Sequence, residues 1–211
     1  MTTTIFIMCA GPPRIINGVC TQLLPLNKGM NFLSRQLAQT EGYSRYIVTS
    51  TQEIKDFAIE HDIPVLEPAS QKSACDSILS TQHLWKGRVL ILLGDVIYAN
   101  SVMKNMLRHT DRVMGTSDQY ESYAMSFFAE AYPEIITALT KGAEQWSGCL
   151  RYAYRFWVGT PWNINETVKQ LRDDPTTFYT GGTGTRDCDS PTIYANILRE
   201  SVATGALDKE N

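Results

Sequence analysis

The stretch Arg88-Val89-Leu90-Ile91-Leu92-Leu93-Gly94-Asp95 decides the fold of this chain. Its apolar run, 89–93, predicts a β-strand that is buried on both faces, as the strands of a parallel sheet are. Gly94 and Asp95 then leave this strand at its carboxyl end. A carboxylate that emerges from a buried strand loses hydration, so it is expected to be paired, to cap a helix or to hold a cation.

The segments on either side of this strand alternate between strand and helix patterns. Apolar strands are predicted at 4–9, 46–48, 64–66 and 111–115, and helices at 30–41, 50–61, 73–85 and 100–109. Parallel neighbours need a crossover connection, which a helix usually provides. The order therefore predicts an α/β fold: a three-layer α/β/α, open, mostly parallel sheet of Rossmann-like type. One domain over residues 1–211 is expected.

The remaining segments follow this pattern less closely. A strand is predicted at 123–128 and helices at 130–141, 163–172 and 190–204. The loop 10–29 is rich in glycine and proline, and we predict no regular structure there. The aromatic segment 146–162 is interpreted as an apolar lid on the sheet, with a base-stacking platform as the alternative.

Composition excludes several classes of protein. With 19 Lys and Arg against 22 Asp and Glu, the chain lacks the cationic surplus for binding nucleic acid or an anionic membrane, and neither partner is expected. The 5 cysteines are scattered, with no C-x-x-C pair, which argues against a zinc finger or a secreted disulfide scaffold. The apolar run 5–10 is too short to span a bilayer. We expect a soluble protein of the cytoplasm.

Three segments are expected to meet at the carboxyl edge of the sheet, where open α/β folds bind ligands. They are the loop 10–29, Asp95, and the triplet 187–189 with its two aspartates. An arginine such as Arg14 suits phosphate oxygens, and paired carboxylates suit Mg²⁺. Taken singly, the loop also fits an ordinary strand-to-helix connection, and either acidic segment also fits a helix cap.

Motifs along nearly the whole chain resemble those of one enzyme family. They lie at 10–14, 18–26, 34–37, 76–85, 92–96 and 187–191. Leu-Leu-Gly-Asp-Val at 92–96 and Asp-Cys-Asp-Ser-Pro at 187–191 are the more specific ones. Their order and spacing are similar to the nucleotidyltransferases that make sugar nucleotides (nucleotidyl-sugar pyrophosphorylases), above all to small members of phage and bacterial type.

The resemblance implies a fold of nucleotide-diphospho-sugar transferase type and a reaction in sugar-nucleotide biosynthesis. A sugar 1-phosphate, or a similar phosphorylated small molecule, attacks the α-phosphorus of a nucleoside triphosphate and releases pyrophosphate. By this resemblance Asp95 and Asp189 bind Mg²⁺ as the cofactor, and Arg14 is a catalytic cation. Lys28 is expected to act as a second catalytic cation, in place of the family lysine that this chain lacks. Substrate contacts are expected from five residues of the motifs: Ala10, Gly11, Gln22, Ser77 and Gly94.

Two departures from the family pattern keep other functions open. Pro12 and Pro13 stand where phosphate-binding N–H groups are expected, and Cys20-Thr21 stands in the place of Pro-Lys. One alternative is therefore a degenerate relative that binds a nucleotide or a partner without turnover. The other is a glycosyltransferase of related fold, which would use Asp-x-Asp to hold the metal of a sugar nucleotide. A homodimer stays open as the oligomeric state.

Overall fold

The computed structural model describes residues 2–26, 29–108, 113–116, 122–145, 149–158, 177–179 and 185–204. Its strands, numbered in chain order, are β1 Thr3–Met8, β2 Ile15–Ile16, β3 Val19–Cys20, β4 Ser44–Val48, β5 Val65–Leu66, β6 Arg88–Leu93, β7 Val96–Ile97, β8 Val113–Thr116, β9 Ser122–Phe128, β10 Thr177–Tyr179 and β11 Arg186–Asp187. Its helices are α1 Phe32–Gln39, α2 Gln52–Glu60, α3 Ala74–Leu79, α4 Asn100–Arg108, α5 Tyr132–Ala143, α6 Leu150–Val158 and α7 Pro191–Thr204.

The central sheet is mostly parallel, as the alternation of strands and helices predicts. Within the part of the chain that the structure describes, it has seven strands in the order β10-β8-β9-β6-β1-β4-β5. The strand β9 runs antiparallel to both of its neighbours, β6 and β8, and the other pairings are parallel. The strand β6, which contains the apolar run 89–93, thus lies beside β1 in the middle of the sheet.

Helices cover both faces of this sheet. In β1, Ile5 and Ile7 pack with α1, α2 and α4, whereas the alternate residues Phe6 and Met8 pack with α3, α5 and α6. Alternate side chains of a strand point to opposite faces, so a strand with a core on each side needs an unbroken apolar run. The three-layer α/β/α prediction is therefore confirmed. The prediction of one domain over residues 1–211 stays a prediction.

The structure corrects the prediction for the loop 10–29. This loop contains a two-stranded hairpin, in which β2 pairs antiparallel with β3. Its turn is Asn17-Gly18, and both residues have positive φ, 54° and 80°. Consecutive positive φ values are the geometry of a type I′ turn, which asparagine and glycine adopt at low cost. The prediction was wrong because it rested on the many glycines and prolines of the loop, whereas the Asn-Gly pair itself favours a hairpin turn.

The aromatic segment also forms more regular structure than predicted. Part of it is the helix α6, whose Tyr154 is buried against α3 and α5 with the rest of that side of the core. This packing agrees with an apolar layer on the sheet rather than an open stacking platform. Trp146 and Trp162, like the predicted helix 163–172, lie outside the described residues.

A buried arginine ties the start of β6 to the end of α4. Arg88 is 5% exposed and donates hydrogen bonds to Ser126 Oγ at 2.9 Å, to Leu107 O at 2.7 Å and to Met106 O. Burial lowers the pKa of Arg88. The two carbonyl oxygens belong to the last turn of α4, where the helix dipole favours a cation.

We predict that Arg88→Met destabilises the fold by about 2–3 kcal/mol, because Ser126 and two carbonyl oxygens lose their buried donor. Chemical denaturation of both proteins measures this loss. The control is Arg108→Met, which makes the same change at an exposed position of α4 and is expected to cost less than about 0.5 kcal/mol. Equal losses in the two variants would contradict the role given to Arg88.

Candidate active site

The carboxyl ends of β1 and β6 lie side by side. The two strands pair in parallel with Met8 opposite Leu93, and Gly94 N donates to Met8 O at 2.9 Å. The segment Ala10-Gly11 therefore leaves the sheet next to Gly94-Asp95. Gly11 has a φ of +113°, a backbone conformation that side chains disfavour, so glycine suits this turn.

Gly94 is a point of close approach between the two strand ends. A Cβ at this position would lie 2.3 Å from Cys9 Sγ and 3.1 Å from Met8 O, both below ordinary contact distance. It would also lie 3.4 Å from Gln22 Cγ, so Gln22 packs over the same spot. Glycine here lets the chain that carries Asp95 lie directly against β1.

Two side chains fasten the turn on which Asp95 sits. Gln36 of α1 donates from Nε2 to Leu93 O at 3.0 Å and to Val96 O at 2.9 Å, on either side of Asp95. The Tyr98 hydroxyl accepts from Leu93 N at 3.0 Å and donates to Tyr123 O at 2.8 Å. Both side chains are buried. The half-buried Asp95 is therefore held on a turn whose backbone is anchored from two sides.

A second acidic segment is hydrogen-bonded beside this turn. The strand β11 pairs antiparallel with β7, with Asp187 opposite Val96, and Cys188 N donates to Asp95 O at 3.0 Å. Asp187 is half-buried, Cys188 is fully buried and Asp189 is exposed. The backbones of Asp95 and Cys188 are thus direct neighbours, although 92 residues lie between them in the sequence.

Arg14 reaches this acidic segment from the loop that follows β1. Its guanidinium forms an ion pair with the Asp189 carboxylate. Its carbonyl oxygen accepts hydrogen bonds from Thr21 N at 2.9 Å and from Thr21 Oγ1 at 3.1 Å. The hairpin of β2 and β3, the turn of Asp95 and the segment 187–189 therefore meet at one edge of the sheet.

A small cluster of buried apolar side chains packs against these three segments. Its buried members are Ile16, Leu24, Phe32, Ile97, Cys188, Tyr194 and Ile197. They come from the hairpin and the residues just after it, from α1, β7 and α7, and from the segment 187–189. Tyr194 also donates from its hydroxyl to Pro25 O at 2.7 Å. This cluster fixes the hairpin and the acidic segment to the rest of the fold.

The thiols around Asp95 are held in the protonated form. Burial, followed by the nearby charges of Asp187 and Asp95, raises the pKa of Cys188 to about 12, although the Arg14 guanidinium opposes this. Burial and the Asp95 carboxylate likewise raise the pKa of Cys9. A thiol in this state is a poor nucleophile, so the thiols are not candidates for nucleophilic chemistry here.

The predicted substrate residues lie in different surroundings. Ala10, Gly11 and Gly94 line the junction of β1 and β6, as described above. Gln22 is 9% exposed, and its Oε1 has no hydrogen-bond partner among the described residues. Ser77 is buried in α3, where its hydroxyl bonds to Ser73 O at 3.0 Å and Ser70 O at 3.2 Å, both in its own segment. Lys28 lies outside the described residues.

Sequence analysis missed two positioning residues, Gln36 and Tyr98. Gln36 lies in the predicted helix 30–41 among apolar residues, and that position contained a signal, because an amide on a buried helix face needs a buried partner. Tyr98 follows a buried turn, where its hydroxyl likewise needs partners.

The donor set at this edge fits a hard divalent cation. Among the described residues, no group of three or more His, Cys, Asp and Glu side chains could hold a metal by itself. Mg²⁺, however, is commonly bound through one or two carboxylates, with waters and substrate phosphates completing the shell. Asp95 and Asp189 offer two such carboxylates from adjacent segments.

Comparison with solved structures identifies proteins of the same fold. Inositol-1-phosphate CTP transferase from T. maritima is 11% identical, with 97% of this chain and 97% of that chain covered and a TM-score of 0.61. A nucleoside-diphosphate-sugar pyrophosphorylase from Vibrio cholerae RC9 is 12% identical, with 93% and 99% covered and a TM-score of 0.61. A Mycobacterium tuberculosis H37Rv protein in complex with manganese is 14% identical, with 94% and 99% covered and a TM-score of 0.58.

These likenesses show the fold, an α/β sheet flanked by helices that this chain shares with the CTP transferase and the pyrophosphorylase. No protein-family profile matches the chain. No curated protein sequence matches it significantly. Among the described residues, no helix has the length and apolar character needed to cross a membrane.

We predict that Gly94→Ala destabilises the fold by about 1–3 kcal/mol, because the new methyl group overlaps Cys9 Sγ and crowds Met8 O. Chemical denaturation measures the loss.

The variant Cys9→Ala removes the nearer obstacle, and the matched test is the double variant. Together, Gly94→Ala and Cys9→Ala are expected to cost less than the sum of the single changes, since part of the overlap is gone. Strictly additive losses would contradict the close approach of these two residues.

Proposed function

We propose that this chain transfers a nucleotidyl group from a nucleoside triphosphate to a sugar 1-phosphate or a similar phosphorylated small molecule, and releases pyrophosphate. One observation carries the proposal: the β7–β11 pairing, which sets the segment 187–189 beside Asp95 at the carboxyl edge of the sheet. The fold neighbours, which include a CTP transferase and a sugar pyrophosphorylase, support the same class of reaction.

In this reaction the protein mainly positions the reactants and neutralises their charge, and it contributes little covalent chemistry. An incoming phosphate oxygen has to line up with the α-phosphorus of the triphosphate while negative charge is neutralised. In this proposal Ala10 and Gly11 border the triphosphate at the end of β1. The half-exposed guanidinium of Arg14 would bind phosphate oxygens through two N–H groups.

Asp95 and Asp189 would hold the divalent cation in this proposal. When bound, such a cation neutralises phosphate charge and orients the reacting groups. Gln36 and Tyr98 contribute indirectly, because they hold the turn of Asp95 in place. We propose Mg²⁺ as the cation, and the manganese complex of a fold neighbour supports the use of a divalent ion.

Two residues of the proposed site have less direct roles. Gln22 packs over Gly94, and its buried Oε1 has no hydrogen-bond partner among the described residues, so we propose that it accepts a hydrogen bond from a substrate donor. Ser77 holds the loop before α3 through its bonds to Ser70 and Ser73, so we propose that it shapes the substrate pocket from behind. Lys28 is retained as a proposed catalytic cation.

A second candidate, nucleotide binding without turnover, is favoured by the loop after β1. Pro12 and Pro13 donate no backbone hydrogen bonds to a phosphate, and both are exposed at the site. The cation of the same loop, Arg14, is already paired with Asp189. A protein of this kind would bind a triphosphate in the presence of a divalent ion but release no pyrophosphate.

We predict that Asp95→Asn and Asp189→Asn each lower pyrophosphate release by about 10²-fold or more, because each removes a carboxylate from the cation site. The assay incubates the purified chain with Mg²⁺, each nucleoside triphosphate and a panel of sugar and cyclitol 1-phosphates. Release that requires the acceptor phosphate supports the transferase. Hydrolysis or transfer of a sugar nucleotide would support a glycosyltransferase instead.

The control is Asp62→Asn, the same substitution on an exposed turn outside the site. Asp62 has a φ of 53°, which asparagine also tolerates, so both activity and fold should be retained. Wild-type activity in either Asp95→Asn or Asp189→Asn would overturn the assignment of the cation ligands. Tight triphosphate binding without turnover in the wild-type protein would favour the second candidate.

A further inference from the structure

The ion pair between Arg14 and Asp189 joins two segments that lie far apart in the sequence. The Arg14 side chain is 53% exposed and the Asp189 side chain is 44% exposed. Water and salt screen an ion pair at this level of exposure, so the pair is weak. A cation that binds carboxylate oxygens more strongly can therefore replace the guanidinium.

The main chain of Arg14 is fixed even though its side chain is not enclosed. Thr21, which is fully buried, donates both its N–H and its hydroxyl to Arg14 O. The Asn17-Gly18 turn closes the hairpin just beyond it. Loss of the partner at Asp189 would thus leave the Arg14 backbone in place and release only the side chain.

We propose that Arg14 is an internal counter-ion that occupies Asp189 until a divalent cation displaces it, and that the released guanidinium then binds the triphosphate. This inference rests on the proposed function, because it takes Asp189 as a cation ligand. A divalent ion carries twice the charge of the guanidinium and coordinates carboxylate oxygens directly. The planar guanidinium, in turn, matches phosphate oxygens with two parallel N–H groups.

In this arrangement the divalent ion is expected to bind before the triphosphate. With no divalent ion, Arg14 is paired with Asp189, and this carboxylate competes with phosphate for the guanidinium. With the ion in place, the Asp189 carboxylate binds the ion, and the guanidinium of Arg14 is released to pair with phosphate oxygens. Binding of the triphosphate is then favoured, so the ion and the triphosphate bind cooperatively through one side chain.

The first test measures Mn²⁺ binding from the electron paramagnetic resonance signal of the free ion, with no substrate present. Arg14→Gln is expected to bind Mn²⁺ about two- to fivefold more tightly than the wild type, the range that follows from an exposed ion pair. Asp189→Asn is expected to bind it more weakly. The matched control is Lys55→Gln, which removes one positive charge from the ion pair with Glu67, outside the site.

The second test follows modification of Arg14 by phenylglyoxal with peptide mass spectrometry. In the wild type, addition of Mg²⁺ should speed the modification, because the guanidinium leaves Asp189. In Asp189→Asn the modification should be fast from the start and independent of Mg²⁺. This readout reports the partner of Arg14 and does not depend on turnover.

The outcomes separate this inference from the proposed function. If the wild type binds Mn²⁺ through Asp189 but Arg14→Gln binds no more tightly than Lys55→Gln, the counter-ion role is overturned and the cation site stands. Modification of Arg14 at a rate that Mg²⁺ leaves unchanged in the wild type would overturn it as well. If neither the wild type nor Arg14→Gln binds Mn²⁺, the cation site itself is overturned, and the counter-ion role falls with it.

Discussion

The antiparallel pairing of β7 with β11 is the constraint on which the rest of the site depends. It consists of two short strands and the hydrogen bond from Cys188 N to Asp95 O. So few backbone bonds would not hold a distant segment in place alone. The buried apolar cluster beneath the hairpin and α7 adds the contacts that stabilise the pairing. Cys188 belongs to this cluster and also donates the hydrogen bond to Asp95 O.

The turn that carries Asp95 is held by the close approach of its backbone to β1 rather than by apolar burial. Gly94 lies against Cys9 and Met8 with no room for a side chain, and Gln36 bonds to the carbonyl groups on both sides of Asp95. A turn that is fastened in this way has little freedom to move. Its carboxylate is therefore presented from a rigid scaffold, which suits a site that works by positioning charge.

The site combines a fixed backbone with exposed charged side chains. The backbone is tied down at Thr21, at Gln36 and along β11, whereas Arg14 and Asp189 meet at the surface through exposed side chains. In the counter-ion proposal, a fixed backbone with exposed charged side chains allows charge to be redistributed without a change of fold.

The sequence by itself determined the architecture: the strands β1, β4 and β6, the helix patterns between them and hence the layered, mostly parallel sheet. These features follow from the local period of apolar residues, which a single chain displays directly. It also marked Asp95 and the triplet 187–189 as acidic segments at the carboxyl edge. Only the tertiary structure decided that Cys188 bonds to Asp95, that Arg14 pairs with Asp189 and that the Ser77 hydroxyl turns to its own segment. Partners of this kind depend on register and on packing between distant elements, and no local pattern encodes them.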